Sequence, residues 1–191
     1  MTSRMTPRLA ITLNGLALYA ITAILLAAFY FQIARGELPC PLCLLQRVAF
    51  TALAFGPILA VRSGPRPFHY GLVIIAAMCG GVIAGRQILL HILPGDAGYG
   101  SVLLGYHFYT WAFLCFAAAI LAAAVMLLFD AQFETEAAPH APPYVPGLFE
   151  TAAVWLVIAV ALLNAGSALL ECGFGTCPAD PVHYELLQAF G

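Results

Sequence analysis

No lysine occurs among the 191 residues, and Asp, Glu and Arg together supply only 8% of them. A water-soluble domain carries about 25% charged residues, so the shortage excludes a chain that covers its whole surface in water. Seven arginines against nine carboxylates leave a net charge of −2. That balance excludes electrostatic binding of nucleic acid, which needs a clustered positive surface. Strand-length alternation of apolar and polar residues is also lacking, and with it the pattern of a membrane β-barrel. There is no internal repeat.

What is abundant is apolar: 63% of the residues are hydrophobic. They gather into five stretches at about 10–34, 44–61, 68–92, 107–129 and 148–170. Each has the ~20 residues that a membrane-spanning helix needs. Apolar side chains run all round each stretch, without the polar stripe of a soluble amphipathic helix. The expected fold is an all-α integral membrane bundle in a lipid bilayer, a single domain over 1–191. The first stretch follows Arg4 and Arg8 but is too long for a signal-peptide core and has no small-residue cleavage site after it. It reads as an uncleaved anchor.

Arginine-bearing loops stay on the cytoplasmic side. Arg4 and Arg8 precede the first stretch, and Arg62 and Arg66 lie between the second and third. Both regions fall on one side by helix counting. The N-terminus is therefore expected inside, with 35–43, 93–106 and the tail 171–191 outside. Residues 130–147 return inside with Asp130, Glu134 and Glu136 but no Arg, which fits this orientation poorly. Pro139, Pro142, Pro143, Pro146 and Gly147 make 137–147 a stiff linker. Pro57 is expected to kink the second helix. Tyr106, His107, Tyr109 and Trp111 read as an interfacial belt.

Six cysteines divide by this topology. Cys40 and Cys43 lie just outside the second helix, Cys172 and Cys177 follow the fifth, and Cys79 and Cys115 fall within spans, where they read as small core residues. A Cys-x-x-Cys at a helix N-terminus meets unpaired N–H groups and a partial positive charge, which stabilise a thiolate. Such a pair can alternate between dithiol and disulfide with little backbone movement. A permanent bridge and half of a metal site are the other uses open to it. Cys172 and Cys177 enclose four residues that allow an unstrained bridge, either a static staple or an exchanging pair. Arg47, one helical turn after Cys43, is placed to lower the sulfur's pKa and to hydrogen-bond a carbonyl of a lipid-soluble acceptor, or else to reach the headgroups. Arg86, Gln87 and His91 occupy the outer part of the third helix, where ionisable groups are costly and mark functional paths.

The run Pro39-Cys40-Pro41-Leu42-Cys43-Leu44-Leu45-Gln46-Arg47, between a first and a second membrane helix, resembles the disulfide bond formation protein B (DsbB) family. Gly85-Arg86-Gln87-Ile88-Leu89-Leu90-His91 is a looser match, and the similarity covers about 10–129. The resemblance implies a four-helix transmembrane bundle of DsbB type, to which this chain adds a fifth helix. It implies a quinone-dependent enzyme of the bacterial inner membrane that reoxidises a periplasmic DsbA-like thiol oxidase. Electrons would pass to ubiquinone or menaquinone. Cys40 and Cys43 would be the quinone-coupled pair, with Cys43 adjacent to the quinone and Arg47 helping to hold it. Arg86 and His91 are further candidates for that site. The family's second cysteine pair lies between helices three and four, where this chain has none. Cys172 and Cys177, on the same side, are the candidate replacement. A metal-binding protein and a disulfide-stapled structural or transport bundle are the rival readings.

Overall fold

The computed structural model describes residues 5–137 and 145–188. Arg4 and the linker residues Pro139, Pro142 and Pro143 lie outside them, as do the side chains of Glu134 and Glu136. Among the described residues, five helical stretches are long and apolar enough to cross a membrane: Pro7–Ala34, Pro41–Ser63, Pro67–Leu90, Phe108–Leu127 and Leu148–Cys172. The protein is an all-α, multi-pass membrane protein.

The first stretch is one helix, α1 (Pro7–Ala34), begun by the Thr6 hydroxyl, which accepts from the Leu9 N–H. The second divides into α2 (Pro41–Leu53) and α3 (Phe55–Ser63). The break at Ala54 falls three residues before Pro57, whose missing N–H leaves the Leu53 carbonyl without its helical donor. Gly56 beside the break has no room for a side chain: a Cβ there would strike the His69 carbonyl and Val73. The next helix, α4 (Pro67–Leu90), can thus lie close against α3. Then follow a hairpin of β1 (Val102–Leu103) and β2 (Tyr106–His107), α5 (Phe108–Leu127), a 3-10 helix over Asp130–Ala137, α6 (Leu148–Cys172) and the short α7 (Glu185–Gln188). The start of the expected inner segment 130–147 is therefore helical. Its Gln132 is wholly buried, linking to Asn14 of α1 through the Tyr70 hydroxyl.

α4 packs most extensively on α5, and α6 on α1. Small residues permit the first contact. The Phe116 ring lies against Gly80 and stacks on Phe50 with centroids 4.2 Å apart. Gly80→Ala is therefore expected to cost about 1–3 kcal/mol by overpacking, read as a lower midpoint of thermal unfolding in detergent. An unchanged midpoint would show that the ring moves aside freely.

The two ends of the bundle are fastened differently. At one end the Thr12 hydroxyl donates to Glu150 (3.0 Å) and the Tyr19 hydroxyl to the Phe149 carbonyl. At the other, Tyr99 donates to the Leu38 carbonyl (2.6 Å) and Glu37 accepts from the Ser101 N–H (3.0 Å) and hydroxyl. Tyr184 of the tail accepts there from Gln32. Loop 35–40, loop 91–107 and the C-terminal tail thus gather at a single end.

Candidate active site at the start of α2

The site is built by the way α2 begins. Pro41 occupies its first turn, where the missing N–H costs nothing, and Cys40 is the cap, its sulfur accepting from the Cys43 N–H at 3.2 Å. Cys43 therefore lies inside the first helical turn, not just outside the helix as the hydropathy boundary at 44 suggests. Cys40 and Cys43 are joined as a disulfide with Cα atoms 5.0 Å apart. Cys40 is buried and Cys43 half-buried.

Cys43 opens onto a cavity of about 300 Å³ between α1, α2 and α5. Leu25, Phe31, Phe50, Phe108 and Trp111 supply apolar wall, and Gln46, Arg47 and Tyr99 add polar groups. Arg47 is fixed from behind: it donates to Gln32 Oε1 (2.7 Å) and to the Ala28 carbonyl (3.1 Å), and its guanidinium lies 5.8 Å from the Phe29 ring centre. Gln32 is clamped in turn, donating to Ser167 of α6 (2.8 Å) and to Tyr184 of the tail (3.2 Å). Tyr99 closes the outer side. Burial, together with the carboxylates of Asp180, Glu171 and Glu37, pushes its phenol up to about 12. It is therefore a hydrogen-bond donor throughout the neutral range.

Behind the sulfurs stands Gln87 of α4. Its amide nitrogen lies 3.2 Å from Cys40 Sγ and 3.5 Å from Cys43 Sγ, while its oxygen accepts from Gln46 at 2.7 Å. A donor held against both sulfurs favours a thiolate on whichever carries the charge. The sequence places Arg86 and His91 at this site, and the structure does not bring either to the cavity wall. Val73, Ala77, Gly80, Ala84 and Gln87 are the buried stripe of α4. Arg86, one residue off that stripe, is turned about 100° away and is exposed. His91 ends the helix, pairs with Asp96 at 3.0 Å and stacks on Tyr109, one ring behind the cavity. The Gly98 N–H and then His91 hold the Asp96 carboxyl below its ordinary range. The four- and three-residue spacing of small residues leading to Gln87 was the available signal.

Three further positions differ from the sequence reading. Cys79 is exposed on the outer face of α4, and Cys115 lines the cavity, so neither is a plain core residue. Tyr109 is buried and Trp111 faces the cavity, so the aromatic belt is partly an inner wall. Cys172 and Cys177 form a second disulfide with Cα atoms 4.5 Å apart. Both are half-buried, and Phe174 in the loop between them is 90% exposed.

Fold and site together define a helical membrane protein that sets a disulfide at a helix N-terminus against an apolar cavity with an arginine in its wall. Residues 10–101 match the family model of disulfide bond formation protein DsbB, so this part of the chain is similar to that family. The match ends before α5, short of the 129 expected. Proteins named disulfide bond formation protein B are similar to it: 43% identical over 86 residues in Marinobacter nauticus (43% of this chain, 51% of that protein) and 37% over 86 residues in Azoarcus sp. (42% and 52%). In Nitrosomonas eutropha the figure is 35% over 71 residues (35% and 44%). The chain spans about half the length of the curated relatives it matches. No solved structure matches it.

Proposed function

We propose that the protein is a single-domain thiol:quinone oxidoreductase of the bacterial inner membrane. It reoxidises a DsbA-like periplasmic thiol oxidase and so supports disulfide formation. The observation that carries this reading is the Cys40–Cys43 disulfide, whose Cys43 shares a cavity wall with Arg47. The cavity lies at the lower end of the range for small-molecule pockets, roughly 300–1,000 Å³. Apolar walls with a few polar groups suit a flat ring carrying carbonyl oxygens, which Arg47 and Gln46 would hold. Bound there, ubiquinone or menaquinone supplies a two-electron acceptor. The end that carries both disulfides faces the periplasm and the N-terminus the cytoplasm, in keeping with Arg8, Arg62 and Arg66 at the other end.

The chain's own residues do the rest. A partner dithiol reduces Cys172–Cys177 through a mixed disulfide, leaving the partner oxidised and the tail as a dithiol. The tail dithiol reduces Cys40–Cys43 in the same way. Cys43 is then the sulfur that faces the cavity, its charge favoured by the α2 N-terminus, Gln87 and Arg47. When the two electrons and two protons leave for the acceptor, the Cys40–Cys43 bond reforms. The test is quinone loss, followed by absorbance, with purified protein in detergent and a reduced DsbA-like partner. Catalytic loss of quinone with matching oxidation of the partner is expected. No loss, with Cys40–Cys43 remaining oxidised, would leave a stapled structural bundle.

A further inference from the structure

α6 lies outside the matched segment yet encloses Arg47 from behind. Asn164, Ala168 and Glu171, spaced four and three residues apart, share one face of this helix. Asn164 and Ala168 join Arg47 and Thr51 around a second cavity of about 120 Å³. Glu171 is 1% exposed, and its Oε2 has no hydrogen-bond partner among the described residues. Asn164 Oδ1 is likewise unpartnered. Glu171 interacts electrostatically with Arg47, although the guanidinium's hydrogen bonds go to Gln32 and Ala28. The charges of Asp180, Glu171 and Glu37 also act on Tyr99, and Tyr184 of the tail acts on Arg47. Cys172 of the tail disulfide is its next neighbour in the chain.

Arginine keeps its charge at every ordinary pH, so Glu171 is the titrating member of this pair. An ionised carboxylate behind the guanidinium offsets the field that Arg47 presents to the first cavity, and a neutral carboxyl leaves it whole. We propose that Glu171 is a positioning residue of the site, a titratable counter-group that weakens the hold of Arg47 on a carbonyl-bearing acceptor when ionised and restores it when protonated. This rests on the thiol:quinone reading, because the acceptor is the one assigned there.

The test is binding of a short-chain ubiquinone to the full chain in detergent, followed by quenching of Trp111. Trp155, 61% exposed on α6, is replaced (Trp155→Phe) so that Trp111 reports alone. Affinity is expected to fall roughly tenfold from mildly acid to mildly alkaline pH, the order of effect of one charge gained inside protein. Glu171→Gln should bind at alkaline pH as tightly as the unchanged protein does at acid pH, and Glu171→Asp should keep a pH dependence with its midpoint moved. A Glu171→Gln profile parallel to the original at every pH overturns the inference while leaving the oxidoreductase reading intact. Should that variant not accumulate, an Asp variant with an unmoved pH midpoint overturns it equally. A protein that binds no quinone at any pH overturns both readings.

Discussion

Cys43→Ser is expected to lower quinone reduction by more than about a thousandfold, the order seen when a covalent nucleophile is deleted. Cys43 is the sulfur on the cavity wall, whereas Cys40 is only 6% exposed and turned into the cap of α2. Cys40→Ser should also stop turnover, since no second sulfur remains to close the disulfide. The two failures differ in kind. In Cys40→Ser the Cys43 thiol persists, and bound quinone should shield it from an alkylating reagent. In Cys43→Ser the remaining Cys40 should alkylate slowly whether or not quinone is present. Equal shielding of both sulfurs would remove the distinction between them and the assignment of Cys43 to the acceptor.

Nearly as large an effect is expected from Cys172→Ser, but only with a protein substrate. Cys40 is too buried for a folded partner's thiolate to reach, while Cys172 and Cys177 are half-buried beside the fully presented Phe174. A soluble oxidase is therefore expected to enter at the tail. Cys172→Ser should abolish turnover with that oxidase by at least about a hundredfold and retain it with a small membrane-permeant dithiol, which can reach Cys43 through the cavity. The readout is the ratio of the two rates. Full turnover of the variant with the protein substrate would eliminate the tail pair from the path and leave it a staple.

The five spans were legible because hydropathy over twenty residues reports transfer into lipid directly, and Pro57 marked the break at Ala54 through a missing N–H. A helix start beside Cys40–Cys43 was legible from the sequence, but the hydropathy boundary at 44 left Cys43 outside the first turn that contains it. What escaped depended on rotation about a helix inside the bundle. Arg86 draws attention by its charge, yet one residue further on Gln87 is the side chain that reaches the sulfurs. In an all-apolar span, charge says that a residue is unusual and not which way it faces. Tyr109 and Cys79 exchanged their expected environments for that reason. Glu171 was invisible because its electrostatic relation to Arg47 depends on α6 packing beside α2, and the two residues are 124 positions apart in the chain.

The pairing of α6 with α1 also has a consequence for how the protein is made. Thr12 and Glu150 are 138 residues apart and Gln32 and Ser167 are 135 apart. At about 5–20 residues per second, α1 waits on the order of ten seconds in the membrane before its last partner emerges from the ribosome. Throughout that interval the Gln32 amide, which positions Arg47, lacks the Ser167 and Tyr184 oxygens that later receive its hydrogens. An early helix is thus completed by one made more than about 130 residues later, and Arg47 in the cavity wall gains the last of its support, through Gln32, only then.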